Sequence, residues 1–429
     1  MRRLSFGLIA LALCCGPASV AAVAPAASVP RATAPVKINA TRIERALQGF
    51  ISDGRAAGVA MLVWQDGRER YFGAVGYADR EARRPMGRDT LAQIWSMTKP
   101  VTGVALMQLW EAGRFGLDDP VAKYLPEFAN MRVLADPSAS GSSQYRSAAR
   151  PITIRDLLRH TAGLAYGMRD GPVDVEYKRV DPLNLQVDLA EASRRLAGLP
   201  LLFDPGAQWS YSAAVDLQAR LVEMFSGQEF EMYVRRHVLD PLRMRDTGWR
   251  QPAANLARLA STYDSGTGGA LTRQTDTEMR ARNFAPHRLT MGGAGLVSSI
   301  DDYMRFARML LGGGELEGAR VLKTSTVRLM TTDHLDPAMK ERFFLPGKGQ
   351  VGFGFDLAVR TAPPREPAEN RGAVGEFFWD GAASTLFWVD PANRLAVVFF
   401  VQKMPFDGSL HHDIREAVYG RDYLGPPGD

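Results

Sequence analysis

The pattern of apolar and polar positions changes character twice along the chain, and strand-like patterns lie at its two ends. Near the start, residues 58–64 form a nearly continuous apolar run, Asp66-Gly67 follows, and residues 71–78 return with a similar character. Asp-Gly between two such runs is a strong hairpin signal. Short apolar runs reappear near the end of the chain, at residues 352–359, 376–379, 383–389 and 395–401. These patterns predict buried strands contributed by both ends of the chain.

The sequence between these runs has the spacing of helices. Apolar residues recur at intervals of three and four over residues 96–113, and Gly113 stands where such a helix would end. Similar spacing predicts helices at residues 41–57, 154–160, 187–196, 216–225, 229–239 and 407–419. We therefore predict an α+β fold in which an antiparallel sheet flanked by helices comes from residues 41–116 and 288–420. A mostly helical lobe at residues 117–287 is inserted into it, and residues 41–429 form one catalytic domain.

The N-terminus has the pattern of a secretory signal peptide over residues 1–22. Arg2 and Arg3 precede a short apolar run at residues 4–13, and the small residues Val20-Ala21-Ala22 offer a cleavage point. The run is too short to cross a bilayer, although a retained anchor or a buried N-terminal helix is the alternative. Residues 23–40 read as a flexible leader rich in Ala and Pro. We expect export to the periplasm or the medium, without stable membrane insertion after cleavage.

Composition narrows the classes of partner and site. The chain is 46% hydrophobic and 23% charged, an ordinary globular mixture. Its 52 basic residues face 47 acidic ones, too small an excess for a nucleic-acid partner. The two cysteines, Cys14 and Cys15, lie in the predicted signal peptide, so the mature chain would hold no disulfide and no cysteine metal site. No spacing indicates a metal or an organic cofactor, and nothing indicates the oligomeric state.

Ser96-Met-Thr-Lys99 carries the first chemical signal. A serine hydroxyl is a poor nucleophile and needs a nearby base. Residues three apart share a helix face, so Lys99 can reach the Ser96 oxygen. Burial beside the site would lower the pKa of Lys99 and free its amine to accept a proton. The alternative is a helix-capping serine with a solvated lysine.

A series of stretches in fixed order resembles the serine β-lactamase-like hydrolases. Within them the chain is similar to the group of class C β-lactamases, D-alanyl-D-alanine carboxypeptidases and family VIII carboxylesterases. The matching stretches are residues 94–99, 154–164, 205–212, 292–299 and 379–381, the last before Asp390-Pro391. The resemblance covers roughly residues 41–420 and implies a β-lactamase-like (DD-peptidase) fold. A Gly-x-Ser-x-Gly elbow is absent, which argues against an ordinary α/β-hydrolase.

The resemblance gives Tyr211 a role and marks Ala213 as a departure. Tyr211-Ser-Ala213 resembles the family's Tyr-x-Asn element, whose tyrosine takes the serine proton on acylation and activates water on deacylation. Near neutral pH this requires a lowered tyrosine pKa, and Lys99 is the candidate cation. Ala213 has no amide to hold a substrate carbonyl. A core aromatic is the alternative for Tyr211, and His160 is expected to be structural.

Trp379-Asp380-Gly381 stands where the resemblance implies Lys-Thr-Gly. In β-lactamases and carboxypeptidases that cation and hydroxyl bind the substrate's carboxylate, and Trp379 and Asp380 supply neither. Family VIII esterases commonly carry a Trp-x-Gly version. By the same resemblance, the backbone N–H groups of Ser96 and Ala382 would form the oxyanion hole. The alternative is a plain edge strand with a packed tryptophan.

These residues predict a serine hydrolase that works through an acyl-enzyme on Ser96. The favoured substrate is a small to medium acyl ester, which makes the enzyme a carboxylesterase. A β-lactamase or a D-alanyl-D-alanine carboxypeptidase is the alternative within the same chemistry. A non-catalytic protein that binds peptidoglycan peptides is the alternative from another class.

Overall fold

The fold is taken from a computed structural model that describes residues 36–136, 138, 144–266, 268–339, 341–343 and 345–423. The predicted signal peptide and residues 23–35 of the predicted leader lie outside these residues, while residues 36–40 of that leader are described. In the described part of the chain the α-helices are α1 (Ala40–Ser52), α2 (Thr98–Glu111), α3 (Ile154–Leu158), α4 (Pro172–Val180), α5 (Leu189–Ala197), α6 (Ala214–Ser226), α7 (Phe230–Val234), α8 (Asp276–Ala281), α9 (Ile300–Leu311), α10 (Thr324–Met330) and α11 (Gly408–Tyr419). Shorter 3-10 turns cover Trp95–Met97, Val121–Lys123, Pro126–Phe128, Ala253–Arg258 and Pro346–Lys348, and a π-helical turn, Arg235–Leu239, continues α7.

Strands lie mostly at the two ends of the chain. They are β1 (Gly58–Gln65), β2 (Arg68–Asp79), β3 (Arg84–Pro85), β4 (Leu91–Gln93), β5 (Arg132–Leu134), β6 (Tyr145–Ser147), β7 (Trp209–Ser210), β8 (Tyr263–Ser265), β9 (Leu271–Arg273), β10 (Val297–Ser299), β11 (Glu315–Leu316), β12 (Ala319–Arg320), β13 (Arg342–Phe343), β14 (Val351–Phe353), β15 (Ala358–Arg360), β16 (Phe377–Asp380), β17 (Leu386–Asp390), β18 (Leu395–Val401) and β19 (Lys403–Met404). The main sheet has the order β14-β15-β16-β17-β18-β1-β2-β3. Its pairings are antiparallel, and β18 joins the two chain ends by pairing with β1, Val401 opposite Val59.

This sheet confirms the predicted α+β class. Asp66 and Gly67 both have positive φ, 54° and 78°, as a two-residue hairpin turn requires, and they join β1 to β2. All seven residues of β18 are buried. Helix α9 packs on the central strands β1, β17 and β18, while α1 packs on β1 and β2 and against α11. A strand buried on both faces reads as a continuous apolar run, which is what made β1 and β18 visible in the sequence.

The prediction of a single strand at residues 352–359 is wrong. The chain instead forms a hairpin of β14 and β15 that turns at residues 354–357. Gly354 lies so close to the Met330 carbonyl that a Cβ atom would come within 2.0 Å of its oxygen, and Asp356 has a φ of 57°. This turn carries the buried Asp356 carboxyl into the protein interior.

Helix α2 lies at the centre of the molecule. Eleven of its fourteen residues are buried, because it is apolar nearly all round and packs against α6 and α7. Pro100 is accommodated in its first turn, where the proline nitrogen needs no helical partner. No helix in the described ranges is both long and apolar enough to cross a membrane.

Candidate active site

Ser96 lies in the short turn that leads into α2, and the backbone there is constrained. Trp95, directly before it, has a φ of 48°, a left-handed conformation that costs a bulky residue about 1–3 kcal/mol. Gly381, at the end of β16, is pressed against this segment. A Cβ atom on Gly381 would lie 2.5 Å from the Ile94 carbonyl oxygen and 2.2 Å from Thr385 Oγ1. Only glycine fits here, so the end of β16 is held beside the Ser96 backbone.

Lys99 follows one turn later and is completely buried. Its Nζ lies 3.2 Å from Ser96 Oγ and donates a 2.7 Å hydrogen bond to the Gly293 carbonyl oxygen. Burial lowers the pKa of Lys99 to about 8, and the negative charges of Asp216, Asp356 and Asp380 act in the opposite direction. A neutral amine at this distance can accept the Ser96 proton directly.

Tyr211 lies on the other side of Lys99. The Lys99 Nζ is 4.4 Å from the centroid of the Tyr211 ring, and the tyrosine hydroxyl interacts with the side chains of Ser96 and Trp379. Burial raises the pKa of Tyr211, and these two hydrogen bonds only partly offset the effect. The expected lowering of its pKa is therefore wrong, because desolvation of the phenolate outweighs the nearby hydrogen-bond donors.

A buried polar layer supports Lys99 and Tyr211 from behind. Asp216 accepts a 3.2 Å hydrogen bond from the Gly293 N–H, and burial raises the pKa of this carboxyl. His160 is buried, with Nδ1 3.0 Å from Ser212 Oγ and its ring 5.2 Å from that of Tyr211. Burial holds the pKa of His160 well below its usual value, so it is a neutral packing partner for Tyr211.

Asp380 points to the pocket and is paired there. Its carboxylate forms a buried ion pair with Lys348, and His411 Nδ1 lies 4.0 Å away. The Lys348 ammonium also lies 5.0 Å from the centroid of the Trp379 ring. Trp379 and Asp380 supply no cation themselves, but Lys348, from a separate segment of the chain, brings one to this wall.

The pocket beside Ser96 has a volume of about 360 Å³. Its lining residues are Trp95, Ser96, Tyr166, Met168, Tyr211, Arg282, Met291, Ala294, Lys348, Trp379, Asp380, Gly381, Ala382 and Phe406. Most of these side chains are aromatic or aliphatic. Ala213 is not among them, since it is buried as the N-cap of α6 and its N–H donates to the Ala165 carbonyl. No group of metal-binding side chains lies anywhere in the described part of the chain.

The comparisons with known proteins agree with this geometry. The family model described as Beta-lactamase matches residues 42–419. The chain belongs to the beta-lactamase family. It is 37% identical over 375 residues to Protein Rv1367c of Mycobacterium tuberculosis, covering 86% of this chain and 91% of that one. It is 33% identical over 405 residues to Esterase EstB of Burkholderia gladioli, covering 89% and 95%.

A solved structure supports the same assignment. EstCE1, described as a hydrolase with promiscuous acyltransferase activity, superposes with a TM-score of 0.73 at 29% identity, covering 89% of this chain and 98% of that one. The protein is thus a serine hydrolase of the beta-lactamase family, as its sequence pattern predicts. What separates the possible activities is the lining of the pocket.

Sequence reasoning missed three polar residues of this beta-lactamase-family pocket. Tyr166 Oη lies 3.5 Å from Lys99 Nζ, and Lys348 and Arg282 bring positive charge to the walls. Tyr166 lies two residues after the matched stretch 154–164, so the resemblance could have indicated it as a site residue. Nothing local marks Lys348 or Arg282, because each lies far along the chain from the residues it meets.

Proposed function

We propose that this protein is a carboxylesterase that forms a covalent acyl-enzyme on Ser96. The observation that carries the proposal is the 3.2 Å approach of Ser96 Oγ to a buried lysine whose pKa is lowered to about 8. Near pH 8, about half of the protein molecules therefore carry Lys99 as a neutral amine. This amine is the base that lies beside the Ser96 hydroxyl.

In the first half-reaction the Ser96 oxygen bonds to the ester carbonyl carbon while its proton passes to Lys99. We assign the stabilisation of the negative charge on the carbonyl oxygen to the backbone N–H groups of Ser96 and Ala382, two residues that line the same pocket. Collapse of the intermediate breaks its bond to the alkoxide, which leaves as the alcohol after taking the proton from Lys99, with Tyr211, which contacts Ser96, as the proton relay. Water then attacks the acyl carbon and gives a proton to Lys99; the bond from the acyl carbon to the Ser96 oxygen breaks, the carboxylic acid leaves, and the Ser96 oxygen takes the proton from Lys99.

The pocket lining supports an ester rather than a β-lactam. Trp379 lines the pocket and stands in the sequence where the resemblance implies the family's carboxylate-binding lysine, while Ala213, buried outside the lining, replaces the family's asparagine and its amide. Alkoxides also leave more easily than amines. The similarity to EstB supports the same choice. The preference does not depend on repulsion by Asp380, because Lys348 neutralises that charge.

Two measurements test this function. We expect kcat/KM for 4-nitrophenyl butyrate to exceed that for a cephalosporin by several orders of magnitude. We also expect a fluorophosphonate to add one adduct mass to the parent protein and none to Ser96→Ala, while Ser52→Ala, an exposed serine, labels like the parent. Efficient cephalosporin hydrolysis would instead favour a β-lactamase. Adduct formation in Ser96→Ala would remove the proposed nucleophile.

Acyl transfer to an alcohol is the second candidate, because EstCE1 combines hydrolysis with acyltransferase activity. The same acyl-enzyme would then be attacked by an alcohol in place of water. Adding a primary alcohol to the ester assay separates the two outcomes: a new ester product indicates transfer, and acid alone indicates hydrolysis.

We also propose that the protein is exported and loses residues 1–22. The charged start and the small residues near position 22 support this. An N-terminus at residue 23 in the mature protein is the expected result, and an intact Met1 in the mature protein would contradict it.

A further inference from the structure

Arg282 is a charged residue of the active-site wall that the proposed ester chemistry does not use. It follows α8 directly and lines the same pocket as Ser96. Its guanidinium carbon lies 4.3 Å from the centroid of the Trp95 ring, and Trp95 immediately precedes Ser96. The cation is therefore stacked beside the nucleophile segment, on the pocket side.

Among the described residues, no carboxylate pairs with Arg282 and no acceptor receives a hydrogen bond from it. This is unusual for the molecule, since most arginines in the described part form ion pairs or donate to carbonyl groups. Arg280, two residues earlier, lies 4.0 Å from the Asp276 carboxylate. The one carboxylate in the pocket wall, Asp380, is occupied by Lys348. The charged residues of the pocket wall are thus the Lys348–Asp380 ion pair and the Arg282 guanidinium, which has no counter-ion among the described residues.

Burial of this guanidinium has a cost that Trp95 only partly offsets. Burial lowers the pKa of Arg282, while the neighbouring Tyr166 raises it. An arginine stays charged under such a shift, so an anion bound in the pocket would replace the lost hydration. A cation stacked on an aromatic face keeps its N–H edge open for hydrogen bonds in the plane of the guanidinium.

From this the structure assigns to Arg282 a subsite for an anionic group, a carboxylate, on the substrate of Ser96. The planar fork of a guanidinium matches the two oxygens of a carboxylate. The remaining walls, with Met168, Met291 and Phe406, suit an apolar chain or ring. The ligand class is therefore an ester with an apolar body and one carboxylate. The inference rests on the proposed function only in that the bound molecule is an ester.

Binding to a protein that cannot turn over tests the subsite separately from catalysis. In a Ser96→Ala background, dissociation constants are measured by calorimetry for two matched pairs of esters. One pair carries the carboxylate on the alcohol side, 4-acetoxybenzoate against 4-methylphenyl acetate. The other carries it on the acyl side, mono-4-nitrophenyl glutarate against 4-nitrophenyl pentanoate. The quantity compared is the affinity ratio of the anionic to the neutral member of each pair.

We expect the ratio to favour the anionic ester in at least one pair, and to fall about tenfold or more in Arg282→Met. Arg282→Lys, which keeps the charge but loses the fork, should give an intermediate ratio. Arg280→Met is the matched control and should leave both ratios within twofold of the parent.

Three results overturn the subsite: no preference for the anionic ester in either pair, an unchanged ratio in a folded Arg282→Met, or an equal loss in Arg280→Met. The first result is measured in Ser96→Ala with Arg282 intact, so it can be obtained even if Arg282→Met fails to fold. The proposed function fails separately. If the protein with Ser96 intact hydrolyses none of these esters while the ratios behave as expected, the carboxylesterase assignment is wrong and the subsite stands.

Discussion

Replacing Asp216 by Asn should move the pH dependence of catalysis without removing any group that contacts the substrate. Asp216 is buried in α6, and its charge raises the pKa of Lys99 more than either of the other two nearby carboxylates does. Its Oδ2 and the Lys99 Nζ lie 3.0 Å and 3.3 Å from the position that a Cβ atom on Gly293 would take. The two charged atoms are therefore about 6 Å apart at most. Asn keeps the carbonyl oxygen that accepts the Gly293 N–H, so only the charge is lost.

The magnitude follows from the distance. Two unit charges about 6 Å apart interact by about 1.4–2.8 kcal/mol at an effective dielectric constant of about 20–40, which equals a pKa change of about one to two. The Lys99 pKa of about 8 should therefore fall to between about 6 and 7. The direction of the pH dependence follows from which protonation state of Lys99 is active. The neutral amine accepts the Ser96 proton, so kcat/KM rises as pH increases through the pKa of Lys99 in the free enzyme.

The assay is kcat/KM for 4-nitrophenyl butyrate at closely spaced pH values from 5.5 to 10. The parent should show a rising limb with a midpoint near 8, and Asp216→Asn should show the same limb at lower pH. Asp302→Asn removes a buried carboxylate that bonds to Thr247 and does not line the pocket, so it should leave the midpoint unchanged. An identical midpoint in Asp216→Asn and the parent would refute the assignment of that limb to Lys99 beside an ionised Asp216.

Two further predictions concern the joint action of Lys99 and Tyr211 and the close packing of Gly381 against the backbone before Ser96. Lys99→Ala and Tyr211→Phe should each lower kcat/KM about 10²-fold or more, and the double variant should lose far less than the product of the two, because both serve one proton transfer. Multiplicative losses would show that they act independently. Gly381→Ala should destabilise the fold by about 1–3 kcal/mol and reduce kcat, since its Cβ would overlap Thr385 and the backbone before Ser96. Denaturant unfolding measures the first effect, and Gly49→Ala, which has open space around its Cβ position, is the control.

Short-range chemistry explains what the sequence could predict. The β1–β2 hairpin follows from Asp66-Gly67, and the meeting of Ser96 with Lys99 follows from helical spacing alone. Tyr211 is different: it lies 112 positions after Lys99, and only the resemblance to a family predicted it as a site residue. Its high pKa could not be foreseen, because the burial that raises it is a property of the packed structure.

Long-range pairing explains what the sequence could not predict. Lys348 and Asp380 are 32 positions apart, and nothing in either neighbourhood marks them as partners. The chain has many arginines, and the sequence does not show that Arg282 lacks a counter-ion while Arg280 has one. Which charges remain uncompensated depends on the whole set of contacts. For this reason Trp379-Asp380-Gly381 alone could not show that the Lys348 cation pairs with Asp380 at this wall.

The Lys348–Asp380 pair gives a last prediction. Both side chains are only 11% exposed, so Asp380→Asn would leave a buried ammonium without its counter-ion. Losing one partner of a buried pair typically costs about 3–5 kcal/mol, and the free cation should bind an anion at the pocket wall. We therefore expect Asp380→Asn to lower Tm and to gain a larger Tm increase from mono-4-nitrophenyl glutarate than the parent does, both measured in the Ser96→Ala background.

Lys348→Met/Asp380→Asn is the matched control, since it removes both charges together. It should recover most of the lost Tm, because an apolar replacement of a buried ion pair is often neutral or stabilising, and it should lose the extra response to the anionic ester. The single variant matching the parent in Tm would mean that Lys348 reaches water when unpaired. In that case pairing with Asp380 would not be what stabilises Lys348 in its buried position, and the Asp at position 380 would need another explanation.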